Sequence, residues 1–229
     1  MKSLIEVQLE VLFARDGSGR LTVTRDPDAR PAPRIFMGRS RERNVWAVRV
    51  DVDPPTKRTL DRLCSAEPTL DSPRADRAPS CRELVKEALA PIESEWRGPA
   101  FVLPEDLPCD ARAREIDANE ASGWREAFPW LPDHFEAVAP VVIAFADGQP
   151  ASVCHSPRGC TSVATEAGVE TLEPFRNRGL ATAAVARWAR AVQSTGRLAL
   201  YSTSWDNAAS LGVARRLSAQ LYGEDWHLG

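Results

Sequence analysis

Between Val141 and Leu228 the apolar residues switch repeatedly between strand-like and helix-like spacing, and this succession constrains the fold more than any other feature of the chain. Val141 to Ala146 is an apolar strand, Asp147-Gly148 is a hairpin turn, and Ala151 to Cys154 returns. Thr161 to Leu172 reads as a third strand, ended by Glu173-Pro174. A helix follows from about Gly179 to Thr195, with Leu180, Ala184, Trp188 and Val192 as its buried stripe and Arg187, Arg190 and Ser194 opposite. Gly196 stops it. Leu198 to Ser202 is a further strand, Asp206 or Asn207 caps a helix through Leu217, and Gln220 to Leu228 supplies a last strand. Strands alternating with helices in this order make an α+β domain in which helices flank a sheet.

The preceding half is less regular. Residues 4–13 partly alternate apolar and polar side chains, the period of a half-buried strand. Asp16-Gly17-Ser18-Gly19 turns the chain into a return strand over Arg20 to Thr24. Short strands are expected at 35–37 and 44–51, a helix after Pro54-Pro55 over 56–66, a loop over 67–80, and a second helix marked by Leu84, Val85, Ala88 and Leu89. Pro91 to Gly98 is the expected boundary, which gives a smaller N-terminal α+β domain over 1–95 and a second domain over 96–229. The second opens with a strand at Ala100 to Leu103 and a helix over about 111–120 capped by Asp110. Trp124, Phe128, Trp130 and Phe135 then form an aromatic cluster, read first as core and secondly as the lining of an acceptor pocket.

Composition excludes several classes. Charged residues are 27% and the net charge is −3, without the basic surplus of a nucleic-acid binder. No apolar run reaches the length of a membrane span, and Glu6 and Glu10 interrupt the N-terminus where a signal peptide needs an unbroken apolar core, so a cytoplasmic location is expected. Five cysteines, Cys64, Cys81, Cys109, Cys154 and Cys160, form no C-x-x-C pair and speak against a disulfide framework and a zinc site. The Cys154 to Cys160 segment, with His155 and Gly159, is conceivable as a metal loop but reads better as strand and turn with free thiols. His134, His155 and His227 show no metal spacing, and no metal is expected.

The junction at 172–181 has a mechanism of its own. A strand ends, a short loop turns, and a helix begins at Gly179. The first N–H groups of a helix lack internal partners and the dipole adds positive potential, so such an end binds phosphate. Gly179 lets backbone approach an anion, Arg176 and Arg178 add charge, and Ala181 leaves the helix start open. Neither the G-x-G-x-x-G loop nor the Walker loop is present.

The segment Thr171-Leu172-Glu173-Pro174-Phe175-Arg176-Asn177-Arg178-Gly179-Leu180-Ala181 resembles the R/Q-x-x-G-x-G/A motif of the GNAT superfamily of acetyl-CoA-dependent N-acetyltransferases. Tyr201 to Ser210 resembles that family's next strand and asparagine-capped helix, at the spacing of one helix and one strand. The resemblance covers about 96–229 and is sharp over 140–217. It implies a mixed, splayed sheet whose cleft takes acetyl-CoA. Backbone groups of Asn177, Arg178, Gly179, Leu180 and Ala181, beside Arg176, would hold the pyrophosphate. Thr171 and Leu172 would pair with the pantetheine arm, and Asn207 and Ser210 would contact the cosubstrate from the other side. The implied reaction is direct attack of a primary amine, from a small molecule or a peptide, on the thioester. It implies a glutamate base on the strand before the loop. Glu166 and Glu170 share one face there by strand alternation, and Glu166 is favoured because it stands further from the loop.

Two departures from the family pattern bear on catalysis. Ala214 stands where a tyrosine often protonates the leaving thiolate, with Tyr201, Tyr222 or water as substitutes, and Ser218-Ala219 replaces a frequent Gly-Phe. A catalytically weak acyl-CoA-binding module and a transferase of longer acyl groups are therefore the alternative readings. The first 95 residues either shape the acceptor cleft or mediate homodimerisation.

Overall fold

The structure is a computed structural model that describes residues 2–71, 77–157 and 161–229. In chain order its elements are α1 (Leu4–Leu12), β1 (Phe13–Arg15), β2 (Leu21–Thr24), β3 (Ile35–Ser40), β4 (Asn44–Val48), α2 (Pro54–Ala66), α3 (Arg82–Leu89), β5 (Glu95–Val102), β6 (Ala113–Glu115), α4 (Ala118–Ala121), α5 (Leu131–Val138), β7 (Val142–Ala146), β8 (Gln149–His155), β9 (Ala164–Glu166), β10 (Gly168–Thr171), α6 (Leu180–Gln193), β11 (Leu198–Ser202), α7 (Ala208–Arg216) and β12 (Gln220–Leu228). They form two compact units of similar size, one of Met1–Phe101, Ser202–Ala208 and Leu221–Gly229, the other of Val102–Tyr201 and Ala209–Gln220.

In the first unit β12 lies antiparallel to β3, from Gly223 opposite Ser40 to Leu228 opposite Ile35, so the end of the chain groups with its beginning. A linear division at residue 95 makes no provision for this return. Ser202–Ala208 joins the same unit, and a Cβ on Gly98 would stand 1.8 Å from the Thr203 carbonyl oxygen, a closeness that only glycine permits. One face of β3 and β12 presents Ile35, Met37, Trp226 and Leu228 to Leu60, Cys64, Val85 and Leu89 of α2 and α3. On another, Phe36 packs with Leu9, Leu12 and Phe13.

The expected strand over 4–13 is instead α1. Ser3 donates through both its N–H and its hydroxyl to the Glu6 carboxylate, which fixes a first helical turn. Ile5, Val7, Gln8, Leu9, Val11 and Leu12 are all buried, and the polar face is only Glu6 and Glu10, so the buried Gln8 between them completes a strand-like alternation in the sequence. The other expected strands and helices of this half, including the hairpin, are present with shifted ends, and residues 72–76 of the expected loop lie outside the described residues.

Buried charge holds the unit's interior. Arg39 is 4% exposed and contacts Glu67 at 3.1 Å and Glu224 at 3.0 Å. Arg97 and the Trp205 indole each reach Glu224 at 2.8 Å. Burial raises the Glu224 carboxyl above its ordinary range, against the opposing pull of Trp205, Arg97 and Arg39. Nearer the surface, the guanidinium of Arg82 holds Glu95 down at about 2, burial opposes it, and the Trp226 indole and Lys86 assist.

The second unit carries an antiparallel sheet in the order β10-β8-β7-β6 and a parallel pairing of β9 with β11. The sheet arrangement is thus mixed and splayed. Helix α6 buries Leu180, Ala184, Trp188 and Val192 as the sequence indicates, and Ala183, Val185, Ala186 and Ala189 besides. Phe128 and Leu131 pack with Ile143 and Val153, and Trp124, Trp130 and Phe135 border them. No helix over 111–120 forms. Asp110 accepts from the N–H of Arg112 two residues on, at 2.9 Å, and closes a local turn. Residues 113–115 then pair with β7, and the helical cap falls on Asp117.

Two stability predictions follow from the first unit. Arg39→Met removes the cation that Glu67 and Glu224 share, while Glu224 keeps Arg97, and is expected to cost about 3 kcal/mol, read as a lower midpoint in urea unfolding. Glu95 stabilises the fold above its unfolded value near 4.5, and that contribution disappears as pH falls toward 2. Glu95→Gln should therefore melt below the parent at pH 7, with the gap closing between about pH 4.5 and 2.

Candidate active site

One continuous segment feeds both sheet systems of the second unit. Ala164, Thr165 and Glu166 pair in parallel with Leu198, Ala199 and Leu200, and the Ala167 N–H makes a last bond to the Leu200 carbonyl at 3.0 Å. One residue later Gly168 is opposite His155, and β10 runs antiparallel to β8 as far as Thr171 opposite Ser152. A Cβ on Gly168 would stand 2.7 Å from Pro157 and 3.1 Å from the His155 ring, so the crossing point is built for glycine. Beyond it, among the described residues, β10 has a strand neighbour on one side only, β8. Its other edge carries the backbone groups with which an extended amide chain pairs.

The expected single strand over 161–172 is thus two strands in two sheet systems, and alternation no longer relates Glu166 to Glu170. Glu166 is 4% exposed, on β9 opposite Leu200. Glu170 is exposed and accepts the Trp130 indole N–H at 3.3 Å. Trp130 in turn lies 4.5 Å from the ring of His155, which burial lowers to about 4.

Past Thr171 the chain makes a 3₁₀ turn over Glu173–Phe175 and reaches α6 through Arg176, Asn177, Arg178 and Gly179. Asn177 and Gly179 both adopt left-handed backbone, at φ 63° and 78°. Asparagine and glycine are the residues that tolerate this, and left-handed residues in a turn gather successive N–H groups toward an anion. The first intrahelical bond joins the Ala183 N–H to the Gly179 carbonyl at 3.1 Å. The amides of Leu180, Ala181 and Thr182 precede it and lie in the first turn, whose N–H groups have no helical acceptor. Arg176 turns back, its Nε 3.3 Å from the Thr171 carbonyl. Arg178 approaches Asp147 at 3.5 Å and lies over Phe175.

Arg112 was not singled out by the sequence. Its guanidinium donates to the Arg178 carbonyl at 3.2 Å and pairs with Asp110 at 2.7 Å. It lies 67 positions before Gly179, inside the stretch expected to be helical, and no local spacing marks it.

Thr171, Leu172, Arg176 to Ala181, Glu166 and Ser210 fall in the second unit, and Asn207 falls in the segment that groups with the first. The Ser210 hydroxyl meets the Tyr201 hydroxyl at 2.5 Å, which ties α7 to β11. Burial, with smaller contributions from Cys154 and Glu166, raises Tyr201 to about 12. Tyr222 belongs to the first unit and donates to Gln8 at 2.7 Å. Ala214 is buried in α7. Cys64, Cys81, Cys109 and Cys154 are free thiols, whereas Gly159 and Cys160 lie outside the described residues. Among the described residues no three His, Cys, Asp or Glu side chains gather as a metal ion requires, and no helix is long and apolar enough to cross a membrane.

No protein-family model matches the chain, and no curated protein does. Solved structures with a similar fold include a GNAT-family protein from Novosphingobium aromaticivorans, at 16% identity over 60% of this chain and 65% of that one, TM-score 0.48. A GCN5-related N-acetyltransferase-like protein from Streptococcus suis matches at 17% over 86% of this chain and 85% of that one, TM-score 0.47. A GCN5-related N-acetyltransferase from Kribbella flavida matches at 23% over 65% and 62%, TM-score 0.46. The chain spans less than two thirds of the length of the Novosphingobium and Kribbella proteins.

The loop's conformation can be tested apart from any reaction. A Cβ on Gly179 meets nothing nearer than Arg112 at 3.9 Å, so the cost of substitution is conformational. Gly179→Val should cost roughly 1–2 kcal/mol of stability from the left-handed backbone, read by thermal unfolding.

Proposed function

We propose that the chain is an N-acetyltransferase that moves acetyl from acetyl-CoA to a primary amine of a small molecule or a peptide. The observation that carries this reading is the parting of the segment at Ala167–Gly168, followed after β10 and one short turn by a helix start with two left-handed residues. An edge strand and an anion-binding turn follow each other over a few residues, and acetyl-CoA joins an extended diamide arm to a pyrophosphate in the same order. Val169 to Leu172 would pair with the arm. The amides of Leu180, Ala181 and Thr182 and the turn at Asn177 to Gly179 would hold the pyrophosphate, with Arg176 and Arg178 adding charge and Ser210 a further contact. These residues fit the cosubstrate in charge and in backbone geometry.

The cosubstrate supplies an activated acetyl group as a thioester. The chain's part is to bind, orient and remove a proton. An ammonium ion has no lone pair, so the acceptor must lose a proton before or during attack on the carbonyl carbon. Glu166, buried on β9 beside the parting point, is the proposed base, acting directly or through a water. The thiolate that leaves takes a proton from water or from Tyr201, whose raised value keeps it protonated at neutral pH. Ala214 provides no acid.

A thiol-release assay with acetyl-CoA and a panel of primary amines tests the reading. Turnover should appear with at least one amine, and Glu166→Gln should lower kcat about 10²–10⁴-fold while leaving the acetyl-CoA Kd within about threefold. CoA binding without turnover on any amine would favour a binding module. Faster turnover with longer acyl donors would favour the other alternative.

A further inference from the structure

Three arginine side chains line one cavity of the second unit, and the pyrophosphate reading uses only Arg178 of them, leaving Arg112 and Arg114 unexplained. The cavity measures about 530 Å³ and includes Arg112, Arg114, Arg178, Asp147, Phe145 and Leu180 in its wall. Its lining thus carries three guanidinium groups against the single carboxylate of Asp147. The guanidiniums of Arg112 and Arg114 are held by Asp110 and Glu120, each at 2.7 Å, carboxylates outside the lining. All three arginine side chains remain about half exposed, at 49%, 49% and 53%. Arg114 lies over the Phe145 ring at 5.2 Å, so an apolar wall adjoins the cations. Converging like charges repel one another, and an anion entering the cavity relieves that repulsion.

We infer that this cavity is a phosphomonoester subsite for the adenosine end of CoA, in which Arg112 and Arg114 make the chain prefer CoA to its 3′-dephospho form. The inference rests on the reading of the loop as the pyrophosphate site. CoA carries, besides its pyrophosphate, a 3′-phosphate with nearly two negative charges next to a purine. Guanidinium forks suit phosphate oxygens through paired, charge-assisted hydrogen bonds, and an apolar wall suits the nucleoside. Arg178 belongs both to the loop and to the cavity wall, which makes the two anion positions neighbours. Nothing in the motif that spans 171–181 indicates Arg112 or Arg114, because both lie on the stretch around β6 and reach the cavity through the fold.

Calorimetric titration of the whole chain with CoA, 3′-dephospho-CoA and adenosine 3′,5′-bisphosphate tests the inference without reliance on activity. The unaltered protein should bind CoA at least about tenfold more tightly than 3′-dephospho-CoA at roughly 0.1 M salt, and should bind the bisphosphate measurably. Arg112→Gln and Arg114→Gln together should bring the two CoA forms within about threefold of each other and leave the 3′-dephospho-CoA Kd within about threefold of the parent. Because Arg112 also contacts the Arg178 carbonyl, Arg114→Gln alone is the cleaner variant, and it should remove part of the preference. Thermal melts confirm that each variant is folded. Equal affinity of the parent for both CoA forms overturns the subsite and spares the loop reading. Equal loss of both ligands in Arg114→Gln also overturns the subsite. If the parent binds neither CoA form, the loop reading fails and the inference with it.

Discussion

The second unit depends on a backbone that must satisfy two sheet systems with one segment. Up to Glu166 the hydrogen-bonding edge is taken by β11, and from Gly168 it is taken by β8. A strand can change partners only where its side chains do not block the turn. Here the step falls on Ala167 and Gly168, and any Cβ at 168 would press on Pro157 and His155. The change frees one edge of β10 without exposing a long unpaired strand, because β10 is four residues long. It also aims the chain into the turn that opens α6. The edge and the helix start are therefore products of one structural event, and their order along the chain matches the order of amide arm and pyrophosphate in the proposed cosubstrate.

The first unit is held in a different way. Its faces are apolar, but an ion network crosses its interior and joins parts distant in sequence: Arg39 on β3, Glu67 after α2, Glu224 on β12 and Trp205 near α7. Such a network adds little to stability when compared with well-packed apolar side chains, yet loss of one partner is expensive. It specifies which segments meet. This suits a unit assembled from three separate stretches of chain, since burial alone does not discriminate among apolar strands that could occupy the place of β12.

Elements whose signals are local were legible in the sequence. The Asp147-Gly148 turn, the α6 stripe and its Gly196 stop, and the helix before Leu217 all rest on contacts within a few residues. Elsewhere tertiary burial or local polar chemistry overrides period. Helix α1 has a polar face of only Glu6 and Glu10 and buries Gln8, so its sequence alternates like a strand, and only Ser3 and Glu6 point to its start. Asp110 bonds two residues ahead in place of three and closes a turn instead of capping a helix. The third strand of the second unit has the composition of one strand, and only pairing reveals that it is two. For the site, Arg176 to Ala181 is legible because its chemistry is local. Arg112 and Arg114 are not, since their proximity to Arg178 is created by β6 pairing with β7.

The arginines around α6 also show how the cations of the proposed phosphate subsite are offset within the protein. A helix start already repels cations, because its dipole places positive potential where Arg112 and Arg178 approach. Each guanidinium is offset by a nearby carboxylate: Asp110 for Arg112, Glu120 for Arg114, Asp147 for Arg178. These pairs are half exposed, so each adds little to stability and yields readily to a stronger partner. A phosphate competes for the same donors with more charge and three oxygens, and the carboxylates it displaces remain close to solvent. The surface thus trades weak internal pairs for strong external ones at small cost. That exchange explains why the charge is divided among three separate pairs around a cavity instead of being buried with a single permanent partner, as Arg39 is in the other unit.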